Sequence, residues 1–338
     1  MSIISVLKKK NNKSLFTTPS HGGEFCIFHK FYQWYRNDIS EVDALNPELA
    51  LEQAEKRASK IYGTKYTKFL TNGSSSGVIA TILASKAKKV AIWDKAHPCH
   101  RNGALLSGAE IFEYELQKDD RLGVYKAITI EQVENIIKTT FPDAIVITSP
   151  TYEGFVAKVR EISEFCRKSG VILIVDEAHG ALYPFSDALP ESAIKYADFT
   201  VQSLHKTAGG LNPTALLHSN SIDPTEALNM IMTTSPSYPM LATIEANIKF
   251  LNSKRGRKQI DDLVENIKSL GLSQLNDDVT KILLKGGYKL SERLFNEYGI
   301  EDERANEKTI MLLCGIGTSK KKIERLRKAL KGLKDFGF

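Results

Sequence analysis

Thirty residues separate Asp176, in Val171-Ile-Leu-Ile-Val-Asp-Glu-Ala-His-Gly180, from Lys206, in Val201-Gln-Ser-Leu-His-Lys-Thr-Ala-Gly-Gly210. Each follows an apolar, β-branched run, so each polar cluster is expected at the carboxyl end of a buried strand. An amine and a carboxylate at neighbouring strand ends suit pyridoxal 5′-phosphate (PLP). The lysine would form the Schiff base, and the carboxylate would keep the pyridine nitrogen protonated so that the ring accepts electrons. Alone the pair says little, because many α/β proteins carry a lysine and an aspartate near strand ends. Three further clusters surround it.

The first is Leu70-Thr-Asn-Gly-Ser-Ser-Ser-Gly77, followed by an apolar run to Ser85. Small residues opening a helix leave backbone N–H groups and the positive dipole end free for an anion. Ser74 and Ser75 add hydroxyls, and plain N-capping by serine is the competing reading. No G-x-x-x-x-G-K-[ST] occurs, so a nucleotide phosphate loop is excluded. The same absence removes the helicase-like reading of Asp176-Glu-Ala-His179. The second cluster, Val90-Ala-Ile-Trp-Asp-Lys-Ala-His-Pro-Cys-His100, puts His97 just past a strand end, where an imidazole can stack on a cofactor ring. A metal site from His97, Cys99 and His100 lacks a second ligand group of matching spacing. A histidine with no role in chemistry is the remaining alternative. The third, Ile147-Thr-Ser-Pro-Thr-Tyr-Glu-Gly154, is a strand running into a turn bounded by Pro and Gly, a common place for ligand contacts.

The elements that would position these clusters alternate. Helical spacing runs from Pro47 to Tyr62, Ile130 to Thr139 and Val159 to Ser169. Strand-like runs occupy Val90–Trp93, Ala144–Thr148, Val171–Val175 and Phe199–Gln202. All-apolar strands between helices predict an α/β fold with a mostly parallel sheet covered on both faces, whose function gathers beyond the strands' carboxyl ends. Residues 1–45 show no sustained period and read as an irregular N-terminal arm; 46–240 read as a large cofactor-binding domain and 241–338 as a smaller α/β domain.

The 338 residues, 42% hydrophobic and 25% charged, are those of an ordinary globular protein. The net charge of +6 is concentrated in Lys8–Lys10, Lys254–Lys258 and Lys320–Lys328, which read as solvated faces rather than a nucleic-acid or membrane surface. No run reaches the length of a membrane helix, and the N-terminus places charge after its apolar residues, the reverse of a secretory signal. Four scattered cysteines suit a reducing cytoplasm.

Taken together, several segments resemble the bacterial ornithine/lysine/arginine decarboxylases in their order along the chain. They are Asn72–Gly77, Ala96-His97, Ser149-Pro-Thr-Tyr152, Asp176–Gly180, Ser203-Leu-His-Lys-Thr207 and Ser235-Pro-Ser-Tyr238. Thr18–Gly23, Asn37–Glu41, Gly299–Ala305 and Gly315–Thr318 extend the likeness from about residue 15 to the C-terminus. The resemblance implies the PLP-dependent transferase (aspartate-aminotransferase) fold in a short form without the further C-terminal domain of those enzymes. It implies decarboxylation of arginine, lysine or ornithine to a polyamine or its precursor. It assigns the PLP linkage to Lys206, the pyridine nitrogen to Asp176, ring stacking to His97, and the phosphate to Ser74, Ser75, Ser203 and His205. His179 would lie near the reacting carbon. A homodimer or higher homo-oligomer with shared sites is implied, with Ser235 and Tyr238 reaching across, and Tyr152 is a further substrate candidate. Asp38, Glu41 and Asp43 are candidates for the substrate's distal cation, or else solvated carboxylates. Transamination or β/γ-elimination is the alternative within PLP chemistry, and a non-catalytic binding module the alternative outside it.

Overall fold

The computed structural model describes residues 2–10, 32–39 and 49–337. Its first helices, α1 (Ile3–Lys10), α2 (Tyr32–Asn37) and α3 (Leu49–Tyr62), are followed by β1 (Tyr66–Leu70) and α4 (Gly73–Ser85). The chain then runs through β2 (Lys89–Trp93), α5 (Cys99–Ser107), β3 (Glu110–Tyr114) and a hairpin of β4 (Lys118–Asp119) and β5 (Val124–Tyr125). Next come α6 (Ile130–Thr140), β6 (Ala144–Thr148), α7 (Val159–Lys168) and β7 (Ile172–Asp176). The large unit closes with β8 (Phe199–Ser203), α8 (Leu204–Thr207), β9 (Ala215–Ser219), α9 (Thr225–Ile231) and α10 (Tyr238–Leu251).

The central sheet has seven strands in the order β1-β9-β8-β7-β6-β2-β3. Pairing is parallel from β8 through to β3 and antiparallel on both sides of β9, so six strands point one way and β9 alone opposes them. The expected mostly parallel α/β architecture is thus present, and β7, the strand ending in Asp176, lies at its centre. Its inner strands β6 and β7 are apolar up to their last residue because both faces are covered. On β6, Ala144 and Val146 join the cluster under α4, whereas Ile145 and Ile147 join the cluster under α6 and α7. This is the two-residue alternation of a pleated strand with no polar face to show.

One close approach sets the position of the serine loop. A Cβ on Gly77 would lie 2.7 Å from Leu70 Cδ1 and 2.8 Å from Val201 Cγ1. Glycine therefore lets α4 rest directly on β1 and β8, and fixes its N-terminus at the carboxyl edge of the sheet.

The smaller unit holds α11 (Lys254–Lys268), β10 (Lys281–Lys285), α12 (Gly287–Tyr298), β11 (Arg304–Ala305), β12 (Thr309–Leu313) and α13 (Lys320–Gly332). Its three strands are antiparallel, in the order β10-β12-β11. One apolar cluster runs from Ile3 in α1 through Leu241 and Ile244 in α10 to Leu330 in α13.

Two features differ from the sequence-based expectation. The first 45 residues are not irregular throughout: α1 packs against α10 and Ile3 is fully buried, a tertiary contact too short to leave a period. Strands β1, β3 and β9 were not anticipated. Lys68 in β1 and Glu110 and Glu113 in β3 break the apolar run, and β9 carries a buried His218. The Thr18–Gly23 segment lies outside the described residues. Among those described, no helix is long and apolar enough to cross a membrane.

Substituting Gly77→Val should destabilise the fold by about 1–3 kcal/mol or more through overpacking, read as a lowered urea midpoint. His218, whose Nδ1 lies 2.9 Å from Thr67 Oγ1, is pushed down by burial to about 3. Above the ordinary histidine range both states are neutral, so it contributes nothing there. As pH falls below about 6.5 the unfolded chain takes up a proton that the folded chain refuses, and stability is lost progressively toward about pH 3. In His218→Asn the drop in urea midpoint between pH 7 and pH 5 should be smaller than in the parent.

Candidate active site

The carboxyl ends of β1, β2, β6, β7 and β8 surround a cavity of about 770 Å³. Ser74, Ser75, His97, Tyr152, Asp176 and His179 line it, as do His205 and Lys206. The order of polar groups on its wall follows from the strand order, since each residue sits at or just past the end of its strand.

Asp176 closes β7 and is buried. Its Oδ1 accepts the Ala178 N–H at 3.1 Å, and its Oδ2 lies 3.0 Å from His100 Nε2. Burial pushes this carboxyl up, but the His100 hydrogen bond and charge, with Lys206, outweigh it and hold the pKa below its ordinary value. Lys206 stands on α8, the single helical turn after β8. Burial pushes its amine down, against the pull of Asp176. Its Nζ lies 3.2 Å from His179 Nε2. His179 is held well below the ordinary histidine range by burial and by the cations Lys281 and Lys206, so it is neutral at physiological pH. The edge of the contact continues outward: Tyr152 packs against His179 with ring centroids 5.0 Å apart.

At the other end of the cavity α4 begins without a side-chain cap on Asn72. Its first N–H groups therefore face the cavity unsatisfied by capping, beside the Ser74 and Ser75 hydroxyls. Ser203 differs from expectation. It is fully buried and its Oγ donates to Ser74 Oγ at 2.8 Å, so it supports the loop from below and does not line the cavity. His205 Nδ1 lies 3.1 Å from the Thr214 carbonyl, which leaves its other nitrogen for the cavity. Three buried polar atoms of lining residues, Trp93 Nε1, Thr148 Oγ1 and His179 Nδ1, have no partner.

Tyr238 is buried in the apolar cluster at the start of α10. Ser235 is exposed and lies away from this cavity. Asp38 does not line it either, and Glu41 and Asp43 lie outside the described residues. The histidine–cysteine metal alternative resolves differently. Cys99, His100 and Asp176 have donor atoms within 4.8 Å of one another. His100 and Asp176 are already spent on each other, and Cys99 Sγ lies 3.1 Å from His97 Nδ1. This donor set suits a hydrogen-bonded pair better than a metal.

Sequence reasoning missed His100 as the support of Asp176, and missed Lys281 altogether. Lys281 and Asp278 form an ion pair at 2.5 Å with both side chains fully buried, and Tyr183 Oη donates to the same Asp278 carboxylate at 2.6 Å. A lysine opening the apolar run Lys281-Ile-Leu-Leu-Lys285 looks like a solvated strand end. Only the chain folding over it reveals burial. A buried pair of this kind is costly to break because the surviving charge stays in the interior. Lys281→Met should cost about 3–5 kcal/mol, and Lys281→Met with Asp278→Asn should recover part of it, measured by urea unfolding.

A family profile described as "Orn/Lys/Arg decarboxylase, major domain" matches residues 6–282. An arginine decarboxylase of Halalkalibacterium halodurans is 26% identical over 374 residues, covering 98% of this chain and 76% of that protein. The constitutive lysine decarboxylase of Escherichia coli is 26% identical over 302 residues, covering 75% of this chain and 41% of that one. The crystal structure of a Francisella novicida lysine decarboxylase superposes with a TM-score of 0.84 at 18% identity, over 98% of this chain and 60% of that chain. The fold is that of the PLP-dependent transferases of aspartate-aminotransferase type.

Proposed function

The chain belongs to the Orn/Lys/Arg decarboxylase family through its major domain, and from that premise we propose that it removes the α-carboxylate of arginine, lysine or ornithine with the help of PLP. The observation that supports this best is the convergence of Asp176, Lys206, His97 and the uncapped start of α4 on one cavity. Those groups fit PLP, since an ionised carboxylate, an amine of lowered pKa and an anion-binding helix N-terminus answer its three functional parts. The unpartnered Trp93 and Thr148 atoms leave donors to spare on the wall.

When bound, PLP supplies an electron-withdrawing ring that accommodates the charge left at Cα as CO2 departs. Asp176 would hold the ring nitrogen protonated, and His100 keeps Asp176 ionised and aimed. Ser74, Ser75, His205 and the first N–H groups of α4 would hold the phosphate, with Ser203 steadying Ser74. His97 would pack on the ring. Lys206 would anchor the cofactor, and burial favours the uncharged amine that such a bond requires. His179, neutral and with Nε2 3.2 Å from Lys206 Nζ, can accept a hydrogen bond from that amine and aim it, and Lys206 would return the proton to the substrate carbon. A homodimer or higher homo-oligomer in the cytoplasm belongs to the same proposal, with the exposed Ser235 facing the neighbouring subunit.

A second reading keeps PLP and changes the reaction. Arg304 on the cavity wall could retain a substrate carboxylate, as transamination requires. Incubation of the PLP-loaded protein with arginine, lysine and ornithine separates the two: amine and CO2 are expected, whereas a keto acid would favour the alternative. No turnover of any of the three would overturn the decarboxylase reading. Lys206→Ala should fold normally by circular dichroism yet lose roughly 10²–10⁴-fold in turnover.

A further inference from the structure

Cations dominate the cavity wall: Lys95, Lys206 and Arg304 all line it. Among the described lining residues only Asp176 and Glu153 are carboxylates. Asp176 is engaged by His100 and by the Ala178 N–H. Glu153 is differently placed. Its backbone is locked in a turn, with its carbonyl accepting from Asn276 Nδ2 at 2.6 Å and the next N–H, of Gly154, donating to Thr151 at 3.0 Å. Gly154 has φ +91°, and a Cβ there would lie 2.9 Å from Asn276, so this turn cannot shift easily.

The side chain of Glu153 is 12% exposed, and burial pushes its carboxyl above the ordinary range, a shift that a cation beside it opposes. The cation present is Arg304, whose Nη1 lies 3.4 Å from Glu153 Oε1 while its own side chain is 57% exposed. That is a loose pairing. Arg304 comes from the two-residue strand β11 of the smaller sheet and rests over the Tyr152 ring at 5.1 Å. Tyr152 in turn is pinned by donating to Glu303 at 2.6 Å, and its ring meets His179. One aromatic ring thus touches both the residue beside the Lys206 amine and the arginine that covers Glu153.

We infer that Glu153 is the specificity-determining residue of this cavity, which receives the distal ammonium or guanidinium of the substrate side chain in exchange for Arg304. The inference rests on the decarboxylase reading and gives its substrate pocket a residue. Exchanging an exposed, loosely held guanidinium for a substrate cation keeps the buried carboxylate neutralised throughout. The Tyr152 face, already a cation platform, can accept the incoming charge as it accepts Arg304. The fixed turn means that the carboxylate waits in place and only Arg304 moves.

Two measurements test it. In the first, PLP-loaded protein is given lysine, arginine, ornithine, glutamate and norleucine, which lacks the distal charge. Glu153→Gln should raise KM for the preferred basic amino acid by roughly 10–100-fold, the size of a lost hydrogen bond to a charged group. The effect should fall on KM rather than kcat and narrow the gap to norleucine, and Glu153→Asp should restore most of it. In the second, PLP-free protein is titrated calorimetrically with cadaverine and with pentylamine, which has only one amine. The parent should prefer cadaverine, Glu153→Gln should lose that preference, and Arg304→Gln should strengthen it. The inference is overturned if Glu153→Gln leaves KM and the cadaverine preference unchanged, if the loss lies in kcat equally for lysine and norleucine, or if glutamate is the best substrate. Should no amino acid be turned over, the decarboxylase reading falls while the calorimetry still decides the role of Glu153.

Discussion

Keeping Asp176 ionised inside the protein is the constraint on which the site depends. A carboxylate at the end of the central strand loses most of its hydration, and left alone it would take up a proton. Three groups prevent this: His100, Lys206 and the Ala178 N–H. The Ala178 N–H belongs to the same turn, but His100 comes from α5, reached only after β2 has passed two strands away in the sheet. The placement of α5 is therefore an electrostatic requirement as much as a packing one. The same segment carries His97 to the cavity wall, so one β2–α5 connection serves both the carboxylate and the face where a ring would stack.

Charge balance extends outward from that carboxylate in an ordered way. Asp176 draws on Lys206, Lys206 sits against a neutral His179, and His179 is kept neutral partly by the buried Lys281. Lys281 is neutralised by Asp278, whose segment also accepts the chain of the Ser149–Ala157 turn: Asp277 Oδ2 takes the Val156 N–H at 2.8 Å. The smaller unit is thereby tied electrically and by hydrogen bonds to the turn that carries Tyr152 and Glu153. A change in that unit therefore reaches His179 through the fixed positive charge of Lys281 as well as through Arg304 on the cavity wall. Packing alone would not have required a lysine at this position.

The parallel sheet was legible because its strands have no wet face. Runs such as Ala144–Thr148 and Val171–Val175 can only be central strands when helical periods flank them, and the cavity must then lie beyond their carboxyl ends. The residues with distinctive chemistry were legible for the same reason. Asp176, His97 and Lys206 each follow an apolar run within a few residues, and the serines of α4 precede one, so local sequence carries their address. Strands broken by charge, β1 and β3, were not visible, because Lys68 and the glutamates of β3 are tolerated only through neighbours that sequence does not name. One of them, Glu55, forms an ion pair with Lys68 at 3.0 Å from a helix earlier in the chain.

What the sequence determined by itself, then, was the α/β class, the end of the sheet where chemistry gathers, and the chemical identity of the groups there. Each follows from composition and period within a few tens of residues. The tertiary structure alone decided which of those groups meet. It moved Ser203 beneath the loop, placed Tyr238 in the core, set His100 on Asp176, and buried Lys281 with Asp278. It also brought Arg304, from 151 residues further along the chain, over Glu153. Burial and pairing are properties of distant segments brought together, and a side chain's charge state depends on them far more than on its sequence neighbours.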